Sequence, residues 1–119
     1  MNVYLGCAFS HPDPAVMKAR YEQITRVAAK LINEGHTVYS PITHTYPIAM
    51  TGLLENSPDG ADPNTWEFWR EQDIAFLNWC DVLGVYMNDG WEESVGLNEE
   101  MDLITSAEKD IWYLSESDY

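Results

Sequence analysis

Four glutamates occupy the stretch GWEESVGLNEEMD, and one of them has a position that suits chemistry. A helix turns about 100° per residue, so a helix through this stretch would bury Leu97, Met101 and Ile104. Glu100 lies about 60° from Leu97, at the border of that apolar stripe, whereas Glu99 faces water. Glu100 is therefore either an edge residue that reaches solvent or an inward carboxylate with a function.

A second carboxylate, Asp73, lies inside the apolar stripe of the preceding helical segment. It is about 40° from Trp69 on the helical wheel, on the face that also carries Trp66, Phe76, Leu77 and Cys80. A buried carboxylate costs free energy unless it is paired or hydrogen-bonded. Asp73 therefore indicates either a structural role, such as pairing with Arg70 or accepting a backbone N–H, or a functional one. Two inward carboxylates near one edge of the fold form a candidate site.

Ser94 and Gly96 shortly precede Glu100 in the chain. Ser94 suits the N-cap of a helix, and Gly96 leaves the first turn open because it has no Cβ. Since the N-terminus of a helix is its positive end, the two residues predict a cradle for a phosphate or a sugar oxygen. Ordinary capping explains Ser94, taken alone, equally well.

The elements that must position these residues follow from the apolar periodicity. Four apolar stretches predict strands, at 2–8, 36–40, 81–87 and 110–114. Three amphipathic stretches predict helices, at 14–34, 65–80 and 93–108. The first of these helices begins with Asp13 as N-cap and Pro14 at its first position. Residues 41–64, rich in Pro, Gly, Asn and Thr, predict a long connection.

Strands that alternate with helices predict right-handed crossovers and a parallel sheet. We therefore expect a single α/β domain over 1–119, a small Rossmann- or flavodoxin-like three-layer sandwich with a four- or five-stranded parallel sheet. In such sheets ligands bind beyond the carboxyl ends of the strands, at the switch point of the strand order. The segments that follow the strands are where a site is expected.

The chain carries 20 acidic against 6 basic residues, a formal net charge of −14. Such a charge repels polynucleotides and anionic membranes, because binding them depends on neutralising phosphates. No apolar run is long enough to cross a bilayer, and the N-terminus has no signal-peptide pattern. Cys7 and Cys80 form no metal or redox motif. We therefore expect a cytoplasmic protein that needs no metal or other cofactor.

The order of the candidate residues resembles that of a known superfamily. Ser94, Gly96 and Glu100 form the pattern S-x-G-x-x-x-E, which is similar to the signature of nucleoside 2-deoxyribosyltransferases and related nucleotide N-glycosidases. Asp73 begins the pattern D-x-x-x-L-x-x-x-D, which resembles the segment that carries their second catalytic carboxylate. The stretches YLGCAFSHPDPAVMKARY, GHTVYSPITHTYPIA and GWEESVG resemble a bacterial and phage branch of that superfamily, so the resemblance covers nearly the whole chain.

This resemblance implies cleavage or transfer of the N-glycosidic bond of a nucleoside or nucleotide. Glu100 would be the nucleophile that attacks the anomeric carbon and holds a covalent glycosyl ester, as in retaining glycosidases. A place near a helix N-terminus would keep Glu100 ionised. Asp73 would orient or protonate the leaving base, or hold a sugar hydroxyl, and Tyr4 would touch the nucleophile.

The resemblance also implies which residues bind the substrate. Gly6, Ala8 and Phe9 would form the first loop, over the base or sugar, although this chain has Cys-Ala-Phe-Ser where close relatives carry Ser-Pro-Tyr-Ser. Ser94 would bind the 5′-oxygen or 5′-phosphate. Trp91 would either stack on the base or pack against the protein. Weaker candidates are His11, His44 and Arg20.

Members of the superfamily often share active sites across a dimer interface, and five tryptophans leave apolar surface for one. We therefore expect a homodimer or a higher homo-oligomer. Two other functions stay open: a non-catalytic nucleotide sensor or sponge of the same fold, and an acidic surface for a protein partner. The presence of both Asp73 and Glu100 favours the enzyme, because a pure binding module needs no buried nucleophile. The base, the sugar and the choice between hydrolase and transferase stay open as well.

Overall fold

The computed structural model describes residues 1–119 and contains four strands and four α-helices. In chain order the elements are β1 (Asn2–Gly6), α1 (Pro14–Asn33), β2 (Thr37–Tyr39), α2 (Pro41–Ala49), α3 (Trp66–Trp79), β3 (Val82–Tyr86), α4 (Val95–Ser106) and β4 (Asp110–Leu114). A single turn of 3₁₀ helix, Trp91–Glu93, precedes α4. None of the helices is long and apolar enough to cross a membrane.

The four strands form one parallel sheet in the order β2-β1-β3-β4. This order confirms the predicted α/β class, a small Rossmann- or flavodoxin-like sandwich. The sheet has four strands, the lower of the two numbers expected. Tyr4 of β1 is in register with Tyr39 of β2 and Leu83 of β3. The strand order reverses between β1 and β3, so the switch point lies beyond the carboxyl ends of these two strands.

The side chains of β1 alternate between the two faces of the sheet. Val3 and Leu5 pack in a buried cluster with residues of α1, namely Ile24, Val27, Ala28 and Leu31. Tyr4 lies on the opposite face, where it packs with buried residues of α3 and α4, namely Leu77, Leu97 and Ile104. Because α3 carries Asp73 and α4 carries Glu100, both helical carboxylates lie on the Tyr4 face of the sheet.

The starts of α1 and α4 follow the predicted capping chemistry. The Asp13 side chain accepts the backbone N–H of Ala15 at 2.9 Å, and Pro14 occupies the first helical position, where its missing N–H costs nothing. The Ser94 hydroxyl accepts the backbone N–H of Leu97 at 3.3 Å. The first turn of α4 is thereby fixed at the carboxyl edge of the sheet, and Glu100 lies in the second turn of the same helix.

The prediction of one long connection over 41–64 is wrong in its first part. Pro41–Ala49 form α2, which begins with a proline at the position that needs no N–H. Pro47 lies inside this helix and removes one backbone hydrogen bond. Tyr46 compensates, because its ring stacks on Tyr21 of α1 with centroids 4.5 Å apart. Tertiary packing thus overrides the poor helix propensity of the segment.

The other elements are present: the last strand has its predicted bounds, 110–114, and the rest are shorter than predicted. The strand expected over 2–8 ends at Gly6, and the helix expected over 93–108 spans Val95–Ser106. Ser94 has an extended backbone, and this conformation separates α4 from the 3₁₀ turn before it. The shorter strand leaves residues 7–10 as a loop beside the switch point.

Candidate active site

Tyr4 and Glu100 form a buried hydrogen-bonded pair at the switch point. The Tyr4 hydroxyl donates to Glu100 Oε2, with Tyr4 fully buried and Glu100 6% exposed. Gly6 makes this approach of α4 to β1 possible: a Cβ at Gly6 would lie 2.9 Å from Leu97 Cδ1 and 3.4 Å from Glu100 Oε1. Of the two alternatives that the sequence leaves open for Glu100, the structure shows the inward carboxylate and not the edge residue that reaches solvent.

Asp73 is also buried, at 5% exposure, and its Oδ1 atom has no hydrogen-bond partner. The alternative in which Arg70 pairs with Asp73 is wrong, since the one salt bridge within 4.0 Å joins His36 and Glu34. No backbone N–H donates to the Asp73 carboxylate either. Neither structural role expected for Asp73, an ion pair with Arg70 or a bond from a backbone N–H, is therefore present.

Burial raises the pKa of both carboxyl groups. For Asp73 it raises the pKa to about 7, and the nearby Tyr4 hydroxyl opposes the rise. For Glu100 it raises the pKa to about 8, with the Tyr4 hydrogen bond opposing the rise and Asp73 adding to it. Burial also raises the pKa of Tyr4 well above its ordinary value, so this hydroxyl keeps its proton and stays a donor. Near neutral pH the pair of carboxyl groups therefore retains at least one proton.

The loop that follows β1 is tied to the loop that follows β3. Ala8 is bonded through both its N–H and its carbonyl group to the Asn88 side chain. Arg20 donates to three backbone carbonyl oxygens, at Phe9 (3.3 Å), Ser10 (3.1 Å) and Asp89 (2.8 Å). The Arg20 guanidinium therefore binds the main chain of the two loops rather than reaching the carboxyl pair.

The substrate-binding candidates Phe9, His44 and His11 each contact a residue other than Asp73 and Glu100. The Phe9 ring packs against the Tyr46 ring, with centroids 5.9 Å apart. His44 is exposed on α2, and its Nδ1 atom lies 3.3 Å from the amide nitrogen of Gln72. His11 is exposed, and its ring accepts the backbone N–H of Asp13 at 3.0 Å. None of these side chains contacts Glu100.

The segment around the start of α4 brings Gly96 against α3. A Cβ at Gly96 would lie 3.9 Å from Trp66 Cβ, so the two helices meet closely there. The Trp66 indole N–H is buried without a hydrogen-bond partner. Trp91 packs against Tyr113 of β4 with ring centroids 6.0 Å apart, away from the strand that carries Tyr4.

The carboxyl pair is enclosed by the chain. Two surface depressions, of about 400 and 540 Å³, lie beside the loop after β3 and share Asn88 and Asp89 in their linings. Neither is lined by Glu100 or Asp73. No group of three or more His, Cys, Asp or Glu side chains is arranged to hold a metal ion. The polar groups that the structure brings together at this place are two carboxyl groups and a tyrosine hydroxyl.

Comparison with protein families identifies the family of this chain. The model of a family described as a domain of unknown function, DUF1937, matches residues 1–116. The chain belongs to the DUF1937 family. No curated protein matches it.

In this DUF1937 domain, sequence reasoning missed two residues next to the predicted ones. Tyr39 ends β2, and its ring meets the Tyr4 ring edge-on at 5.8 Å. Burial raises the pKa of Tyr39, and the charges of Asp73 and Glu100 contribute to the rise. Asn88 is 3% exposed and lies just beyond Met87, the residue that follows β3. A polar residue at the end of a fully buried strand was the signal that could have identified Asn88.

Proposed function

We propose that this DUF1937 protein cleaves or transfers the N-glycosidic bond of a nucleoside or nucleotide through a covalent glycosyl ester on Glu100. The observation that carries the proposal is the buried hydrogen bond from Tyr4 to Glu100, beside a second buried carboxyl group at the switch point. Retaining glycosidases use such a pair, one carboxylate as nucleophile and one carboxyl group as acid.

Unsatisfied polar atoms on α3 support a ligand at this place. Trp66 Nε1, a donor, and Asp73 Oδ1, an acceptor, are buried without partners. They are seven residues apart and so lie on the same face of the helix. Folded proteins rarely leave buried polar atoms unpaired. A bound molecule with its own donors and acceptors would satisfy both atoms.

In the first step a Glu100 carboxylate oxygen attacks the anomeric carbon, and the bond from that carbon to the base nitrogen breaks. The bond electrons leave with the base, which takes a proton from the Asp73 carboxyl group. Because burial raises the pKa of Glu100 to about 8, the expectation that a helix N-terminus keeps this group ionised is wrong, and the nucleophile is the minority of Glu100 side chains that are ionised near neutral pH. The Tyr4 hydrogen bond stabilises that charged form. Asp73 keeps a proton near neutral pH because burial raises its pKa to about 7.

The two carboxyl groups compete for the first negative charge. The pKa of about 7 for Asp73 against about 8 for Glu100, taken alone, favours ionisation of Asp73 first. Both values already include the Tyr4 hydroxyl, which lowers the pKa of each group, and in the structure this hydroxyl donates to Glu100 Oε2 whereas Asp73 Oδ1 has no partner. We assign the nucleophile to Glu100 because a direct hydrogen bond stabilises the carboxylate that receives it.

In the second step the glycosyl ester is broken. A water molecule attacks the anomeric carbon, Asp73 accepts its proton, and the sugar and the Glu100 carboxylate are released. If the nitrogen of a second base attacks instead, Asp73 accepts the proton of that nitrogen, the bond from the anomeric carbon to Glu100 breaks, and the product is a new nucleoside. The same site therefore supports both a hydrolase and a transferase, and access of water to the ester decides between them.

The partner in this proposal is a small-molecule nucleoside or nucleotide, because the net charge of −14 repels polynucleotides. We propose a homodimer or a higher homo-oligomer in which exposed aromatic residues of α3 are covered. Phe76 and Trp79 of that helix are 38% and 39% exposed. Both cysteines are free thiols, as in a cytoplasmic protein.

The test is release of free base from a panel of nucleosides, deoxynucleoside monophosphates and NAD, followed by chromatography with and without a second base. Glu100→Gln keeps the size of the side chain and removes the nucleophile. Glu99→Gln is the matched control, because Glu99 is its exposed neighbour on α4. We expect base release by the wild type and by Glu99→Gln, and a loss of at least about 10³-fold in Glu100→Gln.

Two results would reject the proposal. One is undiminished base release in Glu100→Gln. The other is no release from any member of the panel while a nucleotide still raises the melting temperature. The second result favours the non-catalytic nucleotide-binding module, which needs the fold and the enclosed site but no nucleophile.

A further inference from the structure

Asn88 follows β3 and is 3% exposed, although its side chain carries both a donor and an acceptor. Its amide oxygen accepts the backbone N–H of Ala8 at 3.0 Å, and its amide nitrogen donates to the Ala8 carbonyl oxygen at 2.9 Å. The pairing of β1 with β3 ends where Gly6 meets Val85. The Asn88 side chain therefore continues that pairing by one step, into the loop after β1.

Arg20 of α1 ties the same two loops together from the other side. Its three hydrogen bonds reach the carbonyl oxygens of Phe9 and Ser10 after β1 and of Asp89 after β3. Together with the bonds of Asn88, five hydrogen bonds from two side chains hold the main chain of these loops. None of the five involves a side chain of the loop after β1.

The loop held in this way begins beside the carboxyl pair. Gly6, the last residue of β1, immediately precedes this loop and lies close to Glu100, because a Cβ at Gly6 would be 3.4 Å from Glu100 Oε1. Ala8 is two residues farther on and 3% exposed. We propose that Asn88 is a positioning residue that, together with Arg20, fixes the loop of residues 7–10 against the carboxyl pair. Its catalytic consequence rests on the proposed function, whereas the fixing of the loop is measurable without it.

Such fixing matters because attack on the anomeric carbon needs a short distance and an aligned approach. A displacement of about 1 Å at a positioning contact can cost about 10²-fold in rate. Asn88 touches neither carboxyl group, so its loss leaves the acid and the nucleophile in place. The structure therefore predicts a fall in turnover without a change in the pKa values that govern the pH profile.

The test compares Asn88→Leu with Lys109→Met. Leucine keeps the branch at Cγ but removes both hydrogen bonds to Ala8. Lys109 donates two hydrogen bonds to backbone carbonyl oxygens, at Leu77 (2.7 Å) and Asn78 (2.9 Å). It precedes β4 and so lies at the opposite end of the sheet from the loop. Its variant is a matched loss of two side-chain-to-backbone bonds far from the loop.

The first measurement is amide hydrogen exchange at Ala8, read by NMR on the full chain. We expect exchange at Ala8 to accelerate at least about tenfold in Asn88→Leu relative to Lys109→Met. Arg20→Met is a second variant, to be used if Asn88→Leu does not fold, because it removes the other hydrogen bonds that hold the same loop. Unchanged exchange at Ala8 in the folded loop variants would overturn the fixing of the loop.

The second measurement is base release at several substrate concentrations and pH values. We expect kcat to fall about 10- to 100-fold in Asn88→Leu, with the pH profile unchanged, and to stay at the wild-type value in Lys109→Met. Accelerated exchange with wild-type kcat would overturn the positioning role. If the wild type releases no base, the proposed function and this catalytic role fail together, and exchange at Ala8 still decides whether Asn88 fixes the loop.

Discussion

Replacing Glu100 by glutamine removes a buried carboxyl group whose ionisation the fold resists. Burial raises the pKa of Glu100 from 4.5 to about 8 in the folded protein. Over the interval between these values the folded protein keeps a proton that the unfolded chain has lost. The free energy of unfolding therefore falls as the pH rises through this interval, and the contribution of the neutral carboxyl group is complete only below pH 4.5.

The size of this pH effect on the free energy of unfolding follows from the interval between the two pKa values of Glu100. Each pH unit between the two pKa values costs the folded state about 1.36 kcal/mol, and Glu100 is 6% exposed, so solvent screens little of it. At pH 7 the loss amounts to about 3 kcal/mol. Glutamine is neutral at every pH and keeps an oxygen for the Tyr4 hydroxyl. We therefore expect Glu100→Gln to be less than about 1 kcal/mol more stable than the wild type at pH 5 and about 3 kcal/mol more stable at pH 7.

Urea denaturation from about pH 5 to about pH 8 measures this difference. The net charge of −14 adds a pH dependence of its own, but it does so in every variant, so the comparison isolates Glu100. Glu99→Gln serves as the control, because this exposed neighbour should leave the pH dependence as it is in the wild type. Parallel curves for Glu100→Gln and the wild type would refute the reasoning, as would a wild type that is more stable than Glu100→Gln at pH 8.

Three further variants test the stability of the fold, two at the far end of the sheet and one beside the carboxyl pair. Lys109→Met loses hydrogen bonds to two carbonyl oxygens at the end of α3, and urea denaturation should show a loss of roughly 1–2 kcal/mol. Glu108 has a φ of 58°, so Glu108→Gly should raise the free energy of unfolding by up to about 1 kcal/mol, and a lower melting temperature would contradict this. Gly6→Ala would bring a Cβ within 2.9 Å of Leu97 Cδ1. It should destabilise by about 1–3 kcal/mol and reduce base release, whereas wild-type stability would show that α4 can move away.

Helical periodicity was sufficient to identify the two carboxylates. Asp73 and Glu100 are 5% and 6% exposed, as their positions on the helical wheel indicated. The capping residues could be predicted as well, since the Asp13 and Ser94 side chains each accept a backbone N–H no more than three residues farther along the chain. Interactions of this kind are local, so the sequence pattern alone contains them.

Contacts between residues that are far apart in the chain could not be predicted from the sequence. Ala8 and Asn88 are 80 positions apart, and nothing in the local pattern links them. Arg20 was expected to bind substrate, but its position on α1 brings it within reach of three carbonyl oxygens of the adjacent loops. The helix at Pro41–Ala49 was missed for a similar reason, because the stacking of Tyr46 on α1 stabilises a segment whose prolines suggest a loop.

The most direct test of the account is the mass of the protein after a brief reaction with the nucleoside or nucleotide that releases base. The reaction is stopped with acid, and the adduct is mapped by peptide mass spectrometry. The account predicts a mass increase of one glycosyl group, on the peptide that contains Glu100, and none in Glu100→Gln. Base release with no adduct on any peptide, or with the adduct on Asp73, would contradict the central role of Glu100.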